Sequence, residues 1–252
     1  MRLADSVALI TGANGGLGKA YVEALLAAGA ARIYAAARKL ESLTGIITLD
    51  PKRVIPIQLD ITDARSIQDF VSSHQDVTLL INNAGVALNY GGFITRPNLE
   101  SARTEMEVNY FGTLTMVQAL APVLKQNGGG AIVNVLSILA QATSPVIGTY
   151  SASKAAALAL TKGIRAELAA QGTFVVAVMP GTIDTDMSKD YAGPKVSPME
   201  VAQATLQAIA DEIEDVYPGE QATATAAQLL TDPKAVEKQM SVLLPNTLTQ
   251  TH

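Results

Sequence analysis

A short apolar run, Val7-Ala8-Leu9-Ile10, passes directly into Thr11-Gly12-Ala13-Asn14-Gly15-Gly16-Leu17-Gly18, and the helical pattern Leu17–Ala28 follows at once. Strand, glycine loop and helix in that order constrain the chain strongly. A helix amino terminus presents unpaired N–H groups and a partial positive charge, and glycines let the backbone turn tightly and approach a phosphate. The spacing is Gly12-x3-Gly16-x-Gly18 rather than the G-x-G-x-x-G of ordinary dehydrogenases. A glycine-rich turn with no ligand would look the same, so the loop gains meaning only from what accompanies it.

What accompanies it is alternation. Apolar runs at Val7–Ile10, Ile33–Ala36, Val54–Leu59, Val77–Ile81, Ala131–Leu136 and Phe174–Met179 read as buried strands. Helical spacing fills Leu17–Ala28, Ala64–Ser73, Glu100–Gln126 and Ser151–Ala170, with a turn or two near Leu40–Leu43 and a further helix from Pro198 through Ile213. Parallel strands need crossover helices, so the expected class is α/β: a Rossmann-like doubly wound parallel sheet of about six to seven strands with helices on both faces. With no repeats or linkers, residues 1–252 read as a single domain, with a polar loop at about 181–197 that we expect to contact substrate and a weakly helical tail at about 219–252.

Composition narrows the chemistry. Hydrophobic residues make up 48% and charged residues 16%, enough for a sizeable core. A net charge of -5 argues against nucleic acid as a partner. There is no Cys, which excludes disulfides, thiol catalysis and Cys-based metal sites, and the two His, His74 and His252, make a zinc site or a Ser-His-Asp triad improbable, so no metal is expected. No segment reads as membrane-spanning or as a signal peptide, and a cytoplasmic protein is expected.

The second strand ends Tyr34-Ala35-Ala36-Ala37-Arg38-Lys39. An acid at its end would accept the adenosine ribose hydroxyls of NAD; Ala37 stands there instead, and a guanidinium at Arg38 suits a 2′-phosphate, which favours NADP. The alternative is that both cations merely solubilise a helix start. Further on, Tyr150-Ser151-Ala152-Ser153-Lys154 puts Tyr150 and Lys154 at i and i+4, on one helix face. A neighbouring ammonium should lower the phenol's pKa and let it exchange a proton with a carbonyl or alcohol oxygen. Ser137, just after an apolar strand, offers a hydroxyl to the same oxygen, although a serine there is often only a turn residue.

Together these segments resemble the short-chain dehydrogenase/reductase family in its compact single-domain form, carbonyl and ketoacyl reductases among them, over nearly the whole chain. Thr11–Gly18 is similar to TGxxxGxG, with Gly12, Asn14, Gly16, Leu17 and Gly18 implied at the cofactor. Asp60, followed by Ile61, matches the aspartate that contacts the adenine, and Asn82-Asn83-Ala84-Gly85 matches NNAG, which steadies the sheet and lines the cofactor site. Asn109 matches the helix asparagine that holds a relay water; Ser137, Tyr150 and Lys154 match the catalytic serine and YxxxK pair. Pro180-Gly181-Thr182-Ile183-Asp184-Thr185 resembles the PGxxxT segment that grips the nicotinamide carboxamide.

The resemblance implies hydride transfer between NADP(H) and a small-molecule carbonyl or alcohol, with Lys154 also on the nicotinamide ribose, Arg38 on the 2′-phosphate, and a homotetramer or homodimer joined through the long helices. Leu139 and Met187 are candidate apolar walls, each as readily ordinary packing. The chain departs from the family in having Asn14-Gly15 where many NADP-dependent members carry a second base, a short Met187–Val196 loop, and no glycine-rich terminal strand. Two rivals are a dinucleotide-binding sensor or scaffold without catalysis, and an extended-form sugar-nucleotide epimerase or dehydratase. The first has no need of the relay residues; length and glycine spacing disfavour the second.

Overall fold

The computed structural model describes residues 1–244. Seven strands form one sheet: β1 (Val7–Thr11), β2 (Arg32–Ala37), β3 (Val54–Gln58), β4 (Leu79–Asn82), β5 (Gly130–Val135), β6 (Thr173–Val178) and β7 (Asp215–Val216). All pairs are parallel, in the order β3-β2-β1-β4-β5-β6-β7, so the chain reverses its direction of travel across the sheet between β1 and β4. The carboxyl ends of strands flanking such a reversal leave a crevice, where open α/β sheets bind ligands.

The connections are α1 (Gly16–Ala27), the single turn α2 (Thr44–Ile47), α3 (Ala64–Ser73), α4 (Leu99–Met106), α5 (Thr113–Gln126), α6 (Gly148–Ala169) and α7 (Pro198–Ala210), followed by α8 (Glu220–Thr231) and α9 (Pro233–Ser241). Period-two alternation sorts the strand side chains between two faces. Ala8, Ile10, Leu79 and Ile81 pack under α1 and α7, whereas Leu9, Leu80 and Ile132 pack under α3, α5 and α6. The fully buried Tyr21 of α1 shares a 2.9 Å hydrogen bond with Thr205 of α7, which fixes those two helices together. Pro56, which removes a ladder donor, sits in β3, the edge strand where that loss is tolerated.

The six expected strands lie within two residues of their predicted bounds; the differences are elsewhere. The predicted helix 100–126 is broken by a π-helical stretch, Glu107–Gly112, because Asn109 inside it bonds across to Val86 and Gly112 lies so close to Ile61 that a Cβ would stand 2.8 Å from its Cδ1. The helix expected to reach Ile213 stops at Ala210, since Glu212 takes a left-handed conformation (φ 56°) that lets the Ile213 N–H bond back to Ala208. β7 was not foreseen as a strand. Arg165 of α6 holds it, donating to Asp215 Oδ1 (2.6 Å), Glu214 O (2.6 Å) and Val175 O (3.2 Å). The tail is helical through α8 and α9; residues 245–252, His252 included, lie outside the described residues.

A buried polar chain crosses this core. Asn82 Nδ2 donates to Asn134 Oδ1 (2.9 Å), Asn134 Nδ2 to Thr161 Oγ1 (2.9 Å), and the Thr161 hydroxyl to Ala157 O (2.6 Å), which joins β4, β5 and α6. Thr161→Val keeps the shape but leaves the Asn134 amide donor buried and unpaired. Urea unfolding should show a loss of about 1–3 kcal/mol with an unchanged m-value.

Candidate functional site

The reversal crevice is a cleft of about 1230 Å³. Its floor is the first loop. Gly12 has φ +64°, and a Cβ on it would stand 2.9 Å from Ala84 Cα; one on Gly18 would meet Gly12 O at 2.3 Å. Gly16 faces Thr185, whose Cγ2 would be 3.1 Å from an added Cβ, so the loop and the 183–185 segment face each other at contact distance. No side chain caps the amino end of α1, which leaves its N–H groups for an anion.

Four hydrogen bonds lace the β1 and β4 ends together. Thr11 Oγ1 accepts from Asn83 N (3.0 Å) and Ala84 N (3.1 Å), and Asn83 Nδ2 donates to Thr11 O (2.9 Å) and Gly12 O (3.0 Å). Asn83 therefore bonds the loop backbone with its amide while still lining the cleft, alongside Ala84 and Gly85.

At one end of the cleft lie Ala37, Arg38, Asp60 and Ile61. Ala37 is buried and Arg38 exposed, and among the described residues the guanidinium has no hydrogen-bond partner. Burial pushes the Asp60 carboxyl up, but the Thr62 N–H (2.9 Å) and hydroxyl (2.7 Å) and the charge of Arg38 outweigh it and hold the group below its usual range. Lys39, the second cation after β2, also reaches this end, as does Ser42, which carried no sequence signal.

At the other end, the first turns of α6 carry Tyr150 and Lys154. Lys154 is buried, its Nζ donating to Val135 O (2.9 Å) and lying 5.7 Å from the centre of the Tyr150 ring. It sits behind Gly85, where an added Cβ would be 3.3 Å from Nζ and 3.1 Å from Asn109 Oδ1. Burial lowers the Lys154 ammonium to about 8. Burial also pushes the Tyr150 phenol up to about 12, against the pull of the Ser137 hydroxyl and with added repulsion from Tyr90 and Glu105. The direction is opposite to the lowering expected from a neighbouring ammonium: burial desolvates both groups and favours the neutral form of each.

Ser137 is buried, its Oγ accepting from Leu139 N (3.2 Å) at the end of β5. Asn109 has its amide engaged by Val86 N (2.9 Å), Val86 O (2.9 Å) and Ser153 Oγ (2.9 Å), and its main-chain carbonyl accepts from Thr113 Oγ1 (3.0 Å). Ile183, Thr185 and Met187 line the cleft, while Pro180 and Gly181 stand behind its wall, bonded to Ile138 N and Pro218 O. Residues 182–196 are closed at their base by Val196 N to Thr182 O (2.8 Å) and Asp184 N to Val196 O (2.9 Å). Arg103 of α4 also reaches the cleft and was not foreseen.

The donor set fits a dinucleotide: a loop folded too tightly on Ala84 and on itself for a Cβ at Gly12 or Gly18, a free helix amino end, a cation at one end and a buried ammonium at the other. Among the described residues no group of three His, Cys, Asp or Glu could hold a metal ion, and no helix is long and apolar enough to cross a membrane.

Comparison with known proteins agrees with this geometry. Residues 6–196 match the family described as short chain dehydrogenase. An uncharacterized oxidoreductase of Staphylococcus aureus (strain MW2) is 30% identical over 217 residues, 82% of this chain and 92% of its own. A short chain dehydrogenase from Burkholderia cenocepacia J2315, solved in complex with NADP, is 44% identical and superposes with a TM-score of 0.90 over 97% of this chain and all of that one. A short chain dehydrogenase/reductase from Burkholderia phymatum in complex with NAD shares the fold, with a TM-score of 0.81 over 95% of this chain and 96% of its own at 24% identity.

Lys154 should be the lysine that titrates early. With its pKa lowered by burial, it is charged below about 8 and neutral above, before the ligand enters. NMR of the ligand-free protein carrying ¹³C-labelled lysine should show one Cε resonance moving near pH 8, absent in Lys154→Met. A spectrum in which every lysine titrates together in the ordinary range contradicts this.

Proposed function

Because this chain belongs to the short-chain dehydrogenase family, and is therefore an oxidoreductase that moves a hydride to or from a nicotinamide dinucleotide, we propose that it is an NADPH-dependent reductase of ketones or aldehydes. The observation that carries this is the pair lining the inner end of the cleft, Tyr150 and the buried Lys154, with the Ser137 hydroxyl bonded to Tyr150 behind them. Bound with its reactive ring there, the dihydronicotinamide supplies the hydride. Everything else falls to the protein.

Tyr150 is the acid. A phenol raised to about 12 keeps its proton through neutral pH, the form a donor to a developing alkoxide needs. Ser137 holds the same oxygen from the β5 side. Lys154 holds the nicotinamide ribose and keeps a positive charge beside the phenol, which stabilises phenolate as the proton leaves. Asn109 fixes Val86, and through it Gly85, against the ligand, and we read it as the holder of a relay water. Gly12, Asn14, Gly16, Leu17 and Gly18 take the pyrophosphate; Asp60 and Ile61 the adenine; Ile183 and Thr185 the carboxamide, on a wall shaped by Pro180 and Gly181. Residues 181–197 are the substrate loop of a one-domain enzyme.

A sensor without chemistry fits less well. Such a sensor could use Lys154 to hold a ribose, but it gains nothing from a buried phenol at Tyr150 with the Ser137 hydroxyl beside it. We also read the protein as a cytoplasmic homotetramer or homodimer. The support for assembly is the exposed run of small residues Ala152, Ala155, Ala159, Gly163 and Ala166 on α6, spaced for close approach of another helix.

Two outcomes are expected. Tyr150→Phe should cut NADPH-dependent ketone turnover by about 10²–10⁴-fold, with the NADPH dissociation constant little changed; turnover near wild type would remove Tyr150 as the acid. At the other end, Arg38 should favour NADPH over NADH by about ten- to a hundredfold in kcat/KM. Ala37→Asp with Arg38→Ser should erase or reverse that ratio; an unchanged ratio means Arg38 is not the phosphate ligand.

A further inference from the structure

Between β4 and α4 the chain passes along the substrate side of the cleft, and Glu105 grips it from α4. Glu105 is fully buried. Its Oε1 accepts the N–H groups of two consecutive residues, Leu88 (2.6 Å) and Asn89 (3.1 Å), while its Oε2 has no partner among the described residues. One helical turn later Asn109 holds Val86 by both its N–H and its carbonyl. Helix side chains thus fix the segment at two points.

A buried carboxylate with one bare oxygen is an unfavourable way to fill space; an apolar side chain of similar size would do so better. What a carboxylate or amide oxygen offers is an acceptor for two adjacent N–H groups, which fixes the peptide plane between residues 88 and 89 and so the direction in which residue 90 leaves. The restraint falls where it has most effect. Gly91 (φ +130°) and Gly92 (φ +93°) follow, in backbone conformations other residues rarely adopt, and both donate to Val146 O (2.8 and 3.1 Å) just before α6.

Tyr90, 51% exposed, stands between these anchors. The residues that follow it bond Val146 and abut Gly148, four and two positions before Tyr150, so the segment lies against the start of α6; burial and the charges of Glu105 and Asp190 raise the Tyr90 phenol, and Tyr90 in turn acts on that of Tyr150. Leu88 and Phe93 on the same segment are large, apolar and exposed, as are Met187 and Tyr191 of the 181–197 loop; Met187 lines the cleft, and Phe93 lies against Gly148 at the start of α6.

We propose that Glu105 is a positioning residue for substrate: by holding the N–H groups of Leu88 and Asn89 it sets Tyr90 beside Tyr150 as the wall that takes an apolar, preferably aryl, substituent of the carbonyl compound. The substrate part rests on the reductase reading above; the positioning part does not.

The test uses Glu105→Gln, which keeps an oxygen acceptor, Glu105→Leu, which does not, and Tyr90→Ala, which leaves Glu105 intact. For an aryl alkyl ketone, Glu105→Leu and Tyr90→Ala should each raise KM about tenfold, and Glu105→Gln less than about threefold. In all three, kcat and the NADPH dissociation constant should stay within about threefold of wild type, and KM for a small aliphatic ketone should change least. Hydrogen exchange of the Leu88 and Asn89 amides should accelerate in Glu105→Leu and not in Glu105→Gln. Equal exchange in all variants overturns the positioning role. An equal drop in kcat with KM unchanged, or Gln behaving as Leu does, reveals a merely structural or purely electrostatic residue and overturns it too. If exchange changes but KM does not, the substrate wall is wrong. Wild type that reduces no ketone sinks the reductase reading and the wall with it, while the exchange data still decide whether Glu105 sets the segment.

Discussion

The hydroxyl of Thr11 and the amide of Asn83 set the shape of the site, because they tie the ends of β1 and β4 together just beyond the last ladder pair, Ile10 with Ile81. Side chains from neighbouring parallel strands pack side by side, but beyond the last ladder bond nothing in a sheet keeps two strand ends in register. Here the lacing draws Gly12 against Ala84 so closely that only glycine fits. The cradle is therefore set by backbone contact, and its shape passes to both ends of the cleft: through α1 to the phosphate side, and through Gly85 to Lys154 and Asn109.

The inner end then works against solvation. Lys154 and Tyr150 are both driven toward their neutral forms, the amine down to about 8 and the phenol up to about 12. This suits a site that must hold a proton until charge develops on a nearby oxygen. A dry environment strengthens any charge that later appears there, so a phenolate formed beside the ammonium is stabilised more than it would be in water. The same dryness explains the density of backbone-directed bonds nearby: Lys154 to Val135, Asn109 to Val86, Glu105 to Leu88 and Asn89. Each fixes a main-chain group that would otherwise be buried and unpaired, and together they make the end rigid.

What the sequence reveals follows from whether a residue's role is local. Strands announced themselves through unbroken apolar runs, and the first loop through glycines beside a strand, since both signals lie within a few positions. The i, i+4 spacing put Tyr150 and Lys154 on one face as expected. It could not give the direction of their pKa shifts, which depends on burial by β5 and the Val86 segment, far away in sequence. Glu105 looks like any surface acid on a helix, and only the fold reveals that it faces inward. The π-helical stretch at 107–112 is hidden for the same reason: its cause is a bond from Asn109 to a residue twenty-three positions earlier. Glu212 and Arg165 end α7 and hold β7 through backbone conformation and long-range bonds that no apolar pattern records.

The two ends of the cleft differ in dielectric, and that difference orders how the protein responds to change. Arg38 is exposed and Asp60 partly so, with its carboxylate already held by Thr62. Charges there interact through water and salt, so exchanging one changes what the rim binds without stranding a buried charge or disturbing the fold. Asp60 even shares the field of Arg38, which softens the attraction for a phosphate without removing it. At the inner end an unpaired charge has no water to turn to, and a small displacement changes both its ionisation and its reach. On the reductase reading proposed above, cofactor choice is thus the adjustable property of the site, set by side chains at a wet rim, whereas proton transfer belongs to the buried framework and tolerates little variation.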